Sequence, residues 1–281
     1  MKPRIQSARY MVVAVWLLVA GPAIAQNGVI LDQQLNASNQ GYTVIRVWGS
    51  QYEMGYAQAS LLGDYIVDAV EEIKLLAGSE YSTLRNLMAA AVWQPPGIED
   101  ELDGMVASLS ESHPSAAIDK LDLKVISTYG DWSYACRSHT CWGRYVAPPI
   151  KTLATRRLDF GSPASTASHH VLCARDPDDG SPRWVNLSWP GAVAVATGVN
   201  EFGTLASLHD YDSGGADLSP GRMPRMVAAR HALTLPWGGD LSTHLTDVFD
   251  ELRAYEIMTG GFVNYYTPEG QGGVMTAYPY R

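Results

Sequence analysis

SHTCWGRYVAPPIKTLATRRLDF, Ser138 to Phe160, carries the residues on which the reading of this chain turns. Cys141 follows the hydroxyl residue Thr140. A run of apolar and turn residues comes next, ending in the cluster Arg156-Arg157-Leu158-Asp159. A cysteine becomes a nucleophile when a nearby cation or a base raises its thiolate fraction. Two adjacent antiparallel strands can bring the end of one beside the start of the other. The stretch therefore predicts Arg156 and Asp159 beside Cys141.

A base must also be found. His139 is close in sequence, but a Cys-His pair needs closeness in space. If the Thr140–Cys141 bond is cut by the thiol attacking its own preceding carbonyl, Cys141 gains a free α-amine. Such an amine has a pKa of about 7.7–8.0 and serves as a base near neutral pH. Asp159 would orient that amine, and Arg156 would stabilise the thiolate and the substrate. Acyl transfer further needs donors aimed at the developing oxyanion. TGVNEFG, Thr197–Gly203, offers Asn200 at a tight turn. Asparagine also serves turns for their own sake, so both roles stay open.

The start of the chain sets the compartment. MKPRIQSARYMVVAVWLLVAGPAIAQ has a basic opening, an apolar run from Met11 to Ala20 and an Ala-x-Ala end. That is the pattern of a signal peptide spanning residues 1–25. The apolar run is shorter than the ~20 residues a spanning helix needs, and the alternative is an uncleaved anchor. About 255 residues would remain, exported to the periplasm or beyond, without stable membrane insertion. Net charge is −9, which speaks against nucleic acid, since neutralising phosphates takes lysine and arginine. Hydrophobic residues make up 46%, enough for a sizeable core. The three cysteines, Cys136, Cys141 and Cys173, are an odd number; in an oxidising compartment one is left as a free thiol. Cys136 competes with Cys141 as nucleophile but lies 23 positions before Asp159 (159 − 136) and fits the pattern worse; its other reading is a pairing with Cys173.

Periodicity divides the chain. Residues 26–40 read as a polar lead. Tyr42–Gly49 is β-branched and aromatic, a strand. A long amphipathic helix is predicted over 52–77, capped near Ser50 and stopped at Gly78, with Glu53 capping or pairing within it. Helices follow over 81–93 and 98–111, then a buried apolar segment over 121–129. From Cys141 short strand-like runs succeed one another: CWGRYV, TLATRRLDF, HHVLCAR, RWVNLSW, AVAVATGV and TLASLHD. PDDGSP reads as a hairpin turn. Helices are predicted over 223–235 and 242–258, and GGFVNYY and GGVMTAY close the chain as strands. The fold class is α+β, with helices laid on antiparallel sheet. His169-His170 and His209-Asp210 lack the spacing of a closed metal site and read as solvent-facing. No metal or organic cofactor is expected.

Four motifs in order resemble one family. WGSQYEMGYAQASLLGDYI resembles a glycine turn followed by Tyr-Glu-x-Gly-x-x-x-Gly; IEDELDGM is similar to a Glu-rich helix ending near glycine. TCWGRY…RRLDF resembles a nucleophile strand with its Arg-Asn-x-Asp partner. TGVNEFGTLASLHD resembles a Gly-x-Asn-Glu-x-Gly turn. Together they resemble the acyl-coenzyme A:6-aminopenicillanic acid acyltransferase family (peptidase family C45), which are N-terminal-nucleophile cysteine hydrolases. The resemblance implies a four-layer αββα sandwich and makes Cys141 the self-processed nucleophile, with Arg156, Asp159 and Asn200 as its partners. Trp142, Arg157 and Ala59 depart from the family pattern, and the family's further strands and Thr-Asn segment have no counterpart before Arg281.

The expectation is an exported enzyme that cuts itself at Thr140–Cys141. A mostly helical segment 26–140 would be released or kept as a partner subunit, a heterodimer of the cleavage products. The core 141–281 would be shortened at its C-terminal end. Coenzyme A is not expected outside the cytoplasm, so a small-molecule N-acyl amide is the expected substrate, cleaved through a Cys141 thioester. The alternatives are an inactive binding or structural remnant of the same fold, and a phospholipase-B-like lipid amidase or esterase.

Overall fold

The computed structural model describes residues 27–38, 40–131, 136–150, 152–158, 164–209, 217, 219–235, 244–268 and 272–277. Residues 1–25, read as a signal peptide, and Asp159 lie outside them.

The chain opens with β1 (Gly28–Leu35) and β2 (Gly41–Gly49), an antiparallel pair. Three long helical stretches follow: α1 (Gln51–Ala77), α2 (Tyr81–Ala90) and α3 (Gly97–Ser112). The short α4 (Lys120–Ser127) leads to a 3-10 turn ending at Asp131. The hairpin β3 (Cys136–Trp142) and β4 (Thr152–Leu158) comes next. One turn of helix, α5 (Ala164–Ser168), precedes β5 (His169–Pro177), β6 (Trp184–Ser188), β7 (Thr197–Asn200) and β8 (Leu205–His209). Then come α6 (Arg225–Thr234), α7 (His244–Leu252), β9 (Gly261–Tyr266) and β10 (Gly272–Ala277).

Eight strands form one sheet in the order β1-β2-β5-β6-β7-β8-β9-β10; β3 and β4 stand apart as a pair. All neighbours are antiparallel except β2 and β5, which run parallel. That parallel joint has a consequence for domain organisation. The segment before Cys141 contributes two strands to the same sheet as the segment after it, and one hydrophobic core spans both.

Helix α1 forms where its signals stand. Ser50 accepts from the backbone N–H of Glu53, and the Glu53 carboxylate accepts from Ser50 N–H at 2.9 Å, a capping box. These bonds hold the Glu53 carboxyl below its ordinary range. The small residues of the Tyr-Glu-x-Gly pattern serve helix packing. A Cβ on Gly55 would stand 1.8 Å from Glu101 O of α3, and one on Gly104 2.0 Å from Tyr52 O of α1. The two backbones cross too closely for any side chain at either point.

The sheet has two unlike faces. On one side α1 covers β1, β2 and β5, α6 covers β7 and β8, and α7 covers β10. Ile45, Val47, Cys173, Trp184, Ala206, Leu208, Val263 and Tyr265 point into this layer and are buried. Burying one such aliphatic side chain contributes about 1.5–3 kcal/mol. On the other side, Arg46, His170, Leu187, Val199 and Val274 are exposed. Among the described residues, β3 packs on this second face, against β8.

Several expectations change. The polar lead contains a strand, β1, an edge strand that α1 covers at its Gly28 end and that is exposed over most of its length, so it carries no alternation. The strand expected to open at Cys141 opens at Cys136 and ends at Trp142, and Gly143–Tyr145 is a 3-10 turn. In AVAVATGV the first five residues are a fully buried connection, and only its end joins β7. The helix expected over 81–93 ends at Ala90.

Candidate active site

The register of the hairpin decides what can meet what. Cys136 stands opposite Leu158, Ser138 opposite Arg156, and Cys141 opposite Leu153. Cys141 therefore lies toward the turn end, five residues from the level of Leu158. At about 3.4 Å per residue that is about 17 Å. Arg156 and Leu158 lie at the other end, level with Ser138 and Cys136. Cys141 and Arg156 are thus not cross-strand partners, and the expected place of Asp159 lies outside the described residues. Cys141 is exposed, and its cross-strand neighbour Leu153 is 48% exposed. Position 136 alternates with 141 along the strand and shares the register set of Thr152 and Ala154.

Asn200 is also placed elsewhere. Gly198 and Asn200 share one face of β7, and a Cβ on Gly198 would meet Leu233 of α6 at 2.6 Å. The Asn200 side chain donates to Leu233 O at 3.1 Å and accepts from Thr204 N–H at 2.9 Å. It fastens the β7–β8 turn to the end of α6, on the sheet face opposite the hairpin. The turn role that the sequence left open is the one the geometry displays.

Beneath the hairpin lies a different set of residues. Thr152 Oγ1 donates to Thr267 O at 3.3 Å, tying the turn end of the hairpin to the end of β9. A cavity of about 400 Å³ opens there, between Ile150, Thr152 and Ala154 of the hairpin side and Val199, Leu205 and Tyr266 of the sheet. Its lining is largely apolar. Farther along the same sheet face come Ser207 and His209 of β8 and Asn264 of β9, opposite Ser207. They are 3%, 7% and 8% exposed. Ser207 Oγ lies 3.4 Å from His209 Nε2. The expected solvent-facing character of His209 does not hold, and His169 is buried too.

No protein-family model matches this chain, and no curated protein matches it.

Two buried ion clusters frame the site. Arg225, at the start of α6, meets Asp131 Oδ1 through Nε at 3.3 Å and donates from Nη1 to His209 O at 3.2 Å. Asp131 Oδ2 accepts from Met226 N–H at 3.2 Å. The second cluster lies within the helical layer. Arg175 donates to Glu101 Oε1 at 3.0 Å and to Gln58 at 2.7 Å, and also bonds Asn186. Arg230 Nη1 lies 2.6 Å from Glu101 Oε2. Burial pushes the Glu101 carboxyl up, but the two guanidiniums outweigh it and hold it below its ordinary range. Both guanidiniums lie over the Trp184 ring. This cluster locks α1, α3 and α6 onto the sheet. Cys173 lies beside it as a free thiol, so it is not bonded to Cys136. Burial pushes that thiol up to about 11, which makes it inert as a nucleophile.

Sequence reasoning missed Ser207 and Asn264. For Ser207 the signal was present in LASLH, where Leu205, Ser207 and His209 share a face.

Proposed function

We propose that this chain is an exported cysteine hydrolase or acyltransferase acting on N-acyl amides through a thioester acyl-enzyme. The observation that carries the reading is the hairpin register. It puts a cysteine at the open end of β3, opposite Leu158, the residue before Asp159 in the sequence. That cysteine is Cys136, and the register favours it over Cys141 as nucleophile. An N-terminal nucleophile must present a free α-amine where its partners stand. Cutting Ala135–Cys136 would free an amine at the start of β3. Cutting Thr140–Cys141 would divide β3 near its turn end and leave the amine about 17 Å from Leu158.

In this reading the Cys136 thiolate attacks the amide carbonyl carbon. The C–N bond breaks, the amine leaves with a proton, and water or another amine releases the acyl group. Asp159 orients the α-amine, and Arg156 stabilises the thiolate. The apolar cavity under the hairpin suits the acyl part of the substrate. Both cleavage products would stay together, since β2 and β5 are neighbours in one sheet. The hairpin lies on the sheet face where the second sheet of a four-layer αββα sandwich belongs, and that architecture is part of the proposal.

The test is hydrolysis of a panel of straight-chain and arylacetyl amides by the mature protein, with acid release followed by mass spectrometry. Cys136→Ala is expected to abolish release and Cys141→Ala to leave it within about twofold. Loss in Cys141→Ala alone would restore Cys141 as nucleophile. No release by the wild type would favour a binding remnant of the fold.

A further inference from the structure

We propose that the turn end of the β3–β4 hairpin docks this protein on an anionic phospholipid surface, with Tyr145 and Ile150 entering the lipid interface. This goes beyond the catalytic reading above and stands without it.

The connection between β3 and β4 closes at the Trp142–Thr152 pair. From Gly143 to Ile150 it reads Gly-Arg-Tyr-Val-Ala-Pro-Pro-Ile. All of these residues are exposed except Val146, which is half-buried. Surface loops are ordinarily rich in Asp, Asn and Ser, and this stretch has no Asp, Glu, Asn, Gln, Ser or Thr. Tyr145 is 70% exposed and Ile150 51%. Behind them Leu153, also exposed, pairs with the exposed Cys141. Single exposed apolar residues need no account, but a group of them on one loop marks an interaction site.

The polar groups of the loop suit a lipid interface. A backbone N–H that leaves water for lipid needs a partner of its own. Pro148 and Pro149 have no N–H to satisfy. The N–H of Val146 donates to Gly143 O at 3.3 Å, and that of Ile150 to Ala147 O at 3.1 Å. The Arg144 guanidinium lies 5.0 Å from the centre of the Tyr145 ring and donates to Tyr145 Oη at 2.8 Å. An apolar ring with a phenol tip, beside a long cationic side chain, matches the level of the headgroups.

Charge selects the occupant. In sequence, residues 136–158 hold Arg137, Arg144, Lys151, Arg156 and Arg157, and no Asp or Glu. The rest of the chain has 20 − 5 = 15 cations against 29 carboxylates, a net −14. An anionic surface therefore attracts the hairpin and repels the remainder, which orients the approach. An acidic protein would answer the cations but not the apolar tip. The cavity under the hairpin joins the same surface. Ile150 belongs to both, and Val199 of the cavity wall is 38% exposed.

The experiment is co-sedimentation of the purified mature chain with vesicles of phosphatidylcholine, with and without phosphatidylglycerol, beside the double variant Tyr145→Glu/Ile150→Glu. Both positions are exposed, so the variant should melt as the wild type does. The wild type should bind vesicles containing phosphatidylglycerol at least about tenfold more tightly than phosphatidylcholine alone, and binding should weaken as salt rises. The double variant should bind at least about tenfold more weakly than wild type. Amide hydrogen exchange over residues 143–150 of the wild type should slow when the anionic vesicles are added, a readout that needs no variant to fold. Wild type that binds neither vesicle, or both equally, overturns the inference. So does undiminished binding by the folded double variant, or exchange over 143–150 that the vesicles leave unchanged. Self-association of the wild type that the variant loses, with no vesicle binding, would overturn it in favour of a second copy of this chain.

Discussion

Arg225 Nη1 donates to the backbone carbonyl of His209 at 3.2 Å, while its Nε faces Asp131. This single guanidinium joins the turn that leads into β3, the first residue of α6 and the last of β8. Both partners of the ion pair are fully buried. Removing one charge leaves the other uncompensated, which costs about 3–5 kcal/mol. Asp131→Asn is therefore expected to destabilise the fold by about that amount in urea titrations. The position of Cys136 should loosen with it, read as faster alkylation of Cys136 by iodoacetamide.

Glu101 has two arginines against it and no solvent. Glu101→Gln is expected to cost about 3–5 kcal/mol, because two buried guanidiniums then lack a counter-charge. The sign of the pH effect follows from its depressed pKa. The unfolded carboxyl takes up a proton near its ordinary value, before the folded one does. The stabilisation is present above about pH 4.5 and is lost as pH falls through the lower folded value. Thermal melts from pH 7 down to 3 should show a steeper fall for wild type than for Glu101→Gln.

The close crossing of α1 and α3 predicts a large effect from a small change. Gly55→Ala puts a methyl where Glu101 O already stands, 1.8 Å away. The helices must separate, at a cost of about 1–3 kcal/mol or more. The melting temperature should fall by at least several degrees. Gly78→Ala meets open space, but its φ of 51° makes alanine strained there for a backbone reason, so it should cost about 1 kcal/mol.

His169 lies against Tyr65, with ring centroids 4.0 Å apart, and its Nε2 is 2.9 Å from Thr43 Oγ1. Burial, and then the neighbouring His170, hold its pKa below the ordinary 6.5. The unfolded histidine binds a proton first as pH falls, so acid favours unfolding through this group. Stability should decline below about pH 6.5, and His169→Gln should flatten that part of the stability profile. An unchanged profile between pH 7 and 5 would show that His169 does not titrate on unfolding.

Much of the architecture was legible in the residues. Ser50, Glu53 and Gly78 mark α1 because caps and stops are local chemistry. The block of short strands after the helices was readable from turn residues and β-branched runs. β1 was not, since exposure over most of its length erases alternation. Cys136–Thr140 is mostly polar and carries no strand signal of its own, and only pairing with β4 makes it strand. That single shift carries the site with it, because it moves the strand's start from Cys141 to Cys136. Asn200 was visible as a turn residue, but which face of the sheet it served depended on α6. His209 looked solvent-facing, because nothing local in LASLHD records that Arg225, distant in sequence, reaches its carbonyl from α6.

The most direct test of the account is acyl-enzyme trapping at Cys136. The folded protein is mixed with a short straight-chain 4-nitrophenyl ester, quenched in acid within seconds and mapped by peptide mass spectrometry. The account predicts an added acyl group on the Cys136 peptide that disappears on longer incubation, and that is absent from Cys136→Ala and from unfolded chain. A transient adduct on Cys141, or none at Cys136 in the folded protein, would contradict it.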